Sequence, residues 1–139
     1  MAWDAARQNE KRSSRVYKDL NLNFGINPVT SDVTTVTDVI AVKRSVRNLL
    51  LTNHHERPFH PEIGSGITGI LFELVSPTTA VVLQSEIRQV ITNFEPRVRL
   101  IDVKVSGDID SNGYYVTIHF QPINTPQPVT VELFLERLR

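Results

Sequence analysis

Helical periodicity and strand alternation meet directly in the stretch VITNFEPRVRLIDVKV, Val90 to Val105, with Pro96 at the junction. Proline lacks an amide donor, clashes with the preceding turn and pushes Glu95 toward extended geometry, so a helix must stop there. A chain that switches period so abruptly packs helices ahead of the junction against strands behind it. The two opposite charges on either side of the proline, Glu95 and Arg97, are not needed for that stop and require another explanation.

Ahead of the junction, Val39, Val42, Val46, Leu49 and Leu50 recur at helical spacing, with Lys43, Arg44 and Arg47 on the other side. This predicts an amphipathic helix from Asp38 to about Thr52, capped by Thr37 or Asp38. NHHERPFHPEIGSGI then reads as a shaped loop, in which Arg57, Pro58, Phe59, Pro61 and Glu62 set the path and Pro58-Phe59 anchors into the core. Ser65 or Gly66 opens a short helix that places Ile67, Ile70, Leu71 and Leu74 on one face over about two turns. Ser76-Pro77 supplies a cap and a proline at the first helical position for a third helix, with Ala80, Leu83, Ile87, Val90, Ile91 and Phe94 on one stripe.

Behind the junction, strand alternation occurs three times: Ile101, Val103, Val105; then Val116, Ile118, Phe120; then Val129, Val131, Leu133, Leu135. Asn112-Gly113 suits a turn between the first two. LNLNFGI, with Leu20, Leu22, Phe24 and Ile26 alternating, reads as a further short half-buried strand. The expected fold is α+β, three helices packed on a C-terminal antiparallel β-meander. Residues 18–139 form one domain and Met1 to Tyr17 a polar arm, with Trp3 or Tyr17 as anchors if the arm orders on a partner.

The last strand, Val129-Thr130-Val131-Glu132-Leu133-Phe134-Leu135, has no internal proline and only Glu132, Glu136 and Arg137 as guards. It is an edge open to a strand from another chain.

Composition narrows the chemistry. The 139 residues contain no cysteine, which removes thiol catalysis, disulfides and thiolate metal sites. Fifteen basic and fifteen acidic side chains cancel, which argues against a nucleic-acid binder. No stretch is apolar over a membrane-spanning length and none resembles a signal peptide, so a soluble, unprocessed protein is expected. His54, His55, Glu56, His60 and Glu62 cluster in sequence but fit no helical metal signature, and neither a metal nor a cofactor is expected. Glu62, Glu73 and Glu95 leave open a glycosidase pair, a minority reading beside a non-enzymatic one.

ERPFHPEIGSGITGILFE, followed by SPTTA and then NFEPRV, resembles the sheath initiator family of contractile-tail baseplate wedges, which has a counterpart in type VI secretion baseplates. The resemblance covers roughly Asp38 to Leu135; some members carry old lysozyme labels. It implies a virion protein, present in several copies per baseplate and in the host cytoplasm during assembly. Implied partners are baseplate wedge proteins and tail sheath subunits, with tube or hub proteins as further candidates. It implies docking of Glu95, Pro96 and Arg97 on the wedge helical bundle. It also implies a sheet like the strand-exchange domain of the sheath, whose open edge starts sheath polymerisation. A cell-wall glycosidase and a cytosolic protein-binding module are the alternatives. Within the residues themselves, the alternative is that Glu95 and Arg97 pair inside the domain, with Arg57 or Glu62 as candidate partners.

Overall fold

The computed structural model describes residues 16–138. The chain order is β1 (Lys18–Leu20), β2 (Thr35–Thr37), α1 (Asp38–Leu51), α2 (Ile67–Ile70), α3 (Pro77–Phe94), β3 (Val98–Asp108), β4 (Gly113–Pro122) and β5 (Val129–Glu136). β1 and β2 form a small antiparallel pair; β3, β4 and β5 form a second, antiparallel sheet in sequence order. The arm expected from Met1 to Tyr17, with its Trp3 anchor, lies outside the described residues except for Val16 and Tyr17.

α3 forms where the sequence signals it. The Ser76 hydroxyl accepts the Thr79 amide at 3.1 Å, Pro77 stands in the first turn, and Leu83, Ile87, Val90 and Ile91 are buried. Burial of one aliphatic stripe provides about 1.5 to 3 kcal/mol per side chain and outweighs the modest propensity of its β-branched residues. α1 buries Val42, Val46, Leu49 and Leu50 in the same manner. Thr37 takes the N-cap position but its side chain makes no cap bond, and the Asp38 carboxylate instead accepts the Tyr17 amide at 3.2 Å. α2 is a single turn rather than two, and Leu74 is exposed. The chain unwinds there because Tyr114 Oη and Thr79 Oγ1 both donate to the Leu74 carbonyl, and Val75 leads into the α3 cap.

The helices cover one face of the larger sheet. Tyr114, Val116, Ile118 and Phe120 of β4 and Val131, Leu133 and Leu135 of β5 join the helical stripes in one core. On β3 the register slips between Leu100 and Asp102, a bulge that leaves Ile101 without a cross-strand partner. The extra residue reverses the parity of the strand. Val98, Leu100, Val103 and Val105 therefore face the core, and Ile101, expected inside, is exposed.

The expected strand Leu20 to Ile26 is likewise corrected. β1 ends at Leu20, the Phe24 amide turns back to the Asn21 carbonyl at 2.8 Å, and Phe24 adopts a left-handed φ of 50°. Alternation there meets no covering layer, and Leu22, Phe24 and Ile26 are exposed.

Gly113 follows the left-handed Asn112 in the β3–β4 turn and is fixed by space. A Cβ there would lie 2.6 Å from Phe134 Cζ and 2.7 Å from the Leu135 carbonyl oxygen. The ring can swing away but the backbone of β5 cannot without straining the ladder. Gly113→Ala is expected to cost about 1 to 3 kcal/mol, read as a lower urea midpoint at unchanged slope.

Candidate docking corner and open sheet edge

Glu95 closes α3: its amide donates to the Ile91 carbonyl at 3.0 Å, and its own carbonyl accepts the Val98 amide at 3.3 Å. Pro96 stays exposed on the turn, and Arg97 folds back across it. Arg97 Nε donates to Glu95 Oε1 at 2.7 Å and Nη2 to Oε2 at 3.0 Å, a bidentate fork. Ser45 of α1 donates to Glu95 Oε2. Arg97 Nη1 reaches both oxygens of Asp19 on β1 at 3.2 Å, and the guanidinium carbon lies 5.5 Å from the centre of the Tyr17 ring. The two charges flanking the proline thus meet each other and tie together α1, α3, β1 and β3. The pairing is within the domain, but neither of the candidate partners Arg57 and Glu62 takes part; Glu62 pairs with His60 at 3.1 Å.

Electrostatics follow from burial and the fork. Glu95 is only 3 % exposed. Burial alone would push its carboxyl up, but hydrogen bonds from Arg97 and Ser45 and the Arg97 charge together hold it below the usual range. The Arg97 guanidinium is raised by its bond to Glu95, against the opposing effect of desolvation. A general acid needs the opposite tuning, a carboxyl raised toward neutral pH. Glu62, lowered by its backbone hydrogen bond and by His60, is equally unsuited.

In the loop between α1 and α2, Pro61 helps set the path, but Phe59 does not anchor it. Phe59, expected in the core, is 96 % exposed, with a φ of 69°. The His55 amide bonds the Pro61 carbonyl at 2.9 Å, closing a tight turn that holds Pro58-Phe59 away from the body. Ile63 packs on the core instead, and Ser65 Oγ donates to the Leu50 carbonyl at 2.7 Å. Among the described residues no group of three or more histidines and carboxylates is placed to hold a metal ion.

The two edges of the larger sheet differ. Along β3, Gln84 of α3 donates to the Val103 carbonyl, and Arg88 lies 3.7 Å from Asp102, so α3 already engages that edge at Asp102 and Val103. Along β5, the Arg137 amide bonds the Asn112 carbonyl at 2.9 Å, one step beyond the Gly113–Glu136 pair. Hydrogen-bonded and non-bonded pairs alternate in an antiparallel ladder. Val131, Leu133 and Leu135 therefore bond toward β4, while Thr130, Glu132 and Phe134 aim their amides and carbonyls outward. The same alternation places the missing amide of Pro122 toward β5, which explains why that pairing stops at Phe120–Val129.

The family model described as baseplate wedge protein gp25 matches residues 36–127. The chain belongs to the baseplate wedge protein gp25 family. The match includes the loop, all three helices and the Glu95-Pro96-Arg97 corner but stops short of β5. Baseplate wedge protein gp25 of Enterobacteria phage T4 is 28% identical over 116 residues, covering 84% of this chain and 87% of the relative. Solved structures with the same fold include the anti-feeding prophage baseplate, at a TM-score of 0.61 and 19% identity over 89% of this chain and 88% of that one. A crystal structure from Geobacter sulfurreducens, provisionally assigned as a tail lysozyme, gives 0.59 at 24% identity over 70% and 90%. The type VI secretion baseplate complex gives 0.56 at 16% identity over 70% and 93%. As a gp25-family protein the chain is a baseplate component of a phage tail or related contractile structure, and its partners include other baseplate proteins.

What sequence reasoning missed at the corner are Ser45, Asp19 and Tyr17. They lie 50 and more residues from Glu95 or Arg97 along the chain, and only tertiary packing brings them together.

Proposed function

We propose that this gp25-family chain is a non-enzymatic wedge subunit that docks on the wedge helical bundle at its proline corner and starts the sheath by accepting a strand on β5. The observation that carries this reading is the row of outward backbone groups at Thr130, Glu132 and Phe134 on β5, the edge of the larger sheet that pairs with no further strand among the described residues. Main-chain bonds supply affinity there, and the alternation of β5 fixes register. The sheet thus serves as a stationary counterpart of the sheath's strand-exchange domain.

The corner suits docking because it is already organised. Its fork holds Glu95 and Arg97 in place, so a partner meets a preorganised corner and no flexible loop has to order. The Arg97 side chain retains 22% exposure beside the exposed Pro96. Glu95 contributes from beneath, by holding the arginine.

Such a subunit assembles in the host cytoplasm and ends in the tail baseplate. The test is reconstitution: purified chain bound to wedge proteins is expected to seed sheath subunits into short tubes, whereas sheath subunits with wedges lacking it remain unassembled. Equal seeding without the chain overturns the proposal. Peptidoglycan hydrolysis lost on substituting Glu62, Glu73 or Glu95 would replace it with the glycosidase reading.

A further inference from the structure

The open edge lies against a cationic helix face. Thr130, Val131 and Glu132 of β5 share a groove with Lys43, Arg44 and Arg47 of α1. Arg44 is engaged, donating to the Asn21 side-chain oxygen. Lys43 and Arg47 have no ion pair among the described residues. α1 packs on the core side of the sheet, the side to which Val131 and Leu133 point. A strand added to β5 would send alternate side chains toward that side, under the two free cations. The spacing matches: residues four apart on a helix are about 6 Å apart along its axis, and alternate residues of a strand about 6.6 Å.

We infer that the segment accepted at this edge is an extended stretch of another chain with carboxylates at alternate positions, facing Lys43 and Arg47. Its intervening side chains stand on the other face of the sheet, next to Glu132 and Phe134. Glu132 disfavours a carboxylate there, and the exposed Phe134, its ring 4.9 Å from Tyr115, favours an apolar or β-branched residue. The partner's pattern is therefore acidic on one face and uncharged on the other. Charge complementarity of this kind fixes which face of the incoming strand turns inward, which main-chain bonds alone leave undetermined.

The inference rests on the strand-acceptance reading, and the test separates the two. The probes are fluorescent ten-residue peptides alternating valine with glutamate, threonine or lysine, titrated by anisotropy against the full chain. The glutamate peptide is expected to bind about tenfold tighter than the threonine peptide at low salt, an advantage that shrinks at high salt. Lys43→Glu combined with Arg47→Glu, neither altering the backbone of β5, should reverse the ranking in favour of lysine. Glu132→Pro should weaken all three peptides alike. Binding that Glu132→Pro abolishes but that ignores peptide charge overturns the acidic-partner inference and leaves strand acceptance intact. Binding that Glu132→Pro does not affect overturns strand acceptance, and the inference with it.

Discussion

Arg97→Ala is expected to lower the melting temperature of the isolated chain by about 10 °C, as a loss of about 3 to 4 kcal/mol at roughly 3 to 4 °C per kcal/mol. The cost arises from what remains rather than from what is removed. Glu95, 3 % exposed beneath the Arg97 fork in the folded chain, would keep Ser45 as a side-chain donor but lose its counter-charge. The reverse change is milder: Glu95→Ala leaves Arg97 bound to Asp19 and partly in water, so about 1 to 3 kcal/mol is expected. Acid titration gives an independent signature. The Glu95 carboxyl is lowered in the folded chain from an ordinary value of 4.5, so its contribution is complete above that pH. It declines as pH falls below 4.5 and is gone once pH has passed through the lowered folded value. In Arg97→Ala the lowering by the arginine is lost and only the Ser45 bond still opposes the upward push of burial, so the variant should lose less stability than the parent as the pH falls below 4.5. Parallel melting curves for both proteins between neutral pH and pH 3 check this. Equal acid sensitivity, or a normal melting temperature for Arg97→Ala, would place the pair outside the fold. Wedge binding is then best probed with Pro96→Ala, which stiffens the turn less but leaves the fork in place.

Whether the sequence disclosed a feature depended on how local its cause was. Ser76-Pro77 and the stripe from Leu83 to Ile91 define α3 because cap, proline and periodicity lie within the element itself. The alternation from Leu20 to Ile26 follows the same kind of local rule, and it failed because burial is not local: no second layer stands over Leu22 or Phe24. Ile101 failed for a subtler reason, since one residue of bulge reverses every side chain before it and alternation in the sequence cannot register the slip. Phe59 looked like an anchor by its chemistry, yet the left-handed turn beneath it faces solvent. At the corner, the proline and its charges were legible as a unit, whereas the fork between them was one of several geometries the dipeptide spacing permits. Ser45 on α1 and Tyr17 and Asp19 around β1 come from two other parts of the chain and leave no trace near residue 95.

Glu132→Pro is expected to leave the monomer folded within about 1 kcal/mol and to cut sheath addition at least tenfold, an effect of about 1.4 kcal/mol or more per joint. Glu132 lies opposite Thr117 in a non-bonded pair, so its amide donates to nothing in the ladder, and its side chain is exposed. Proline there removes an unused donor and fits the extended backbone of an edge strand. An arriving strand, however, meets a ring where its carbonyl should accept a bond. It forfeits about 0.5 to 1.5 kcal/mol for the bond itself and more for the steric displacement of its neighbours. Thr130→Pro should act in the same direction but also loses the 3.0 Å contact with His119 Nδ1, which makes it the less clean variant. Val131→Pro supplies the opposing control. Its amide bonds inward to the Ile118 carbonyl side of the ladder and its side chain is buried, so it should destabilise the monomer by on the order of 2 to 4 kcal/mol before any partner is added. The measurements are thermal melting of each monomer and tube length by electron microscopy after reconstitution on wedges. If Glu132→Pro melts normally and still seeds sheath of normal length and yield, then β5 is not where the first strand is received, and the outward row of amides has some other use.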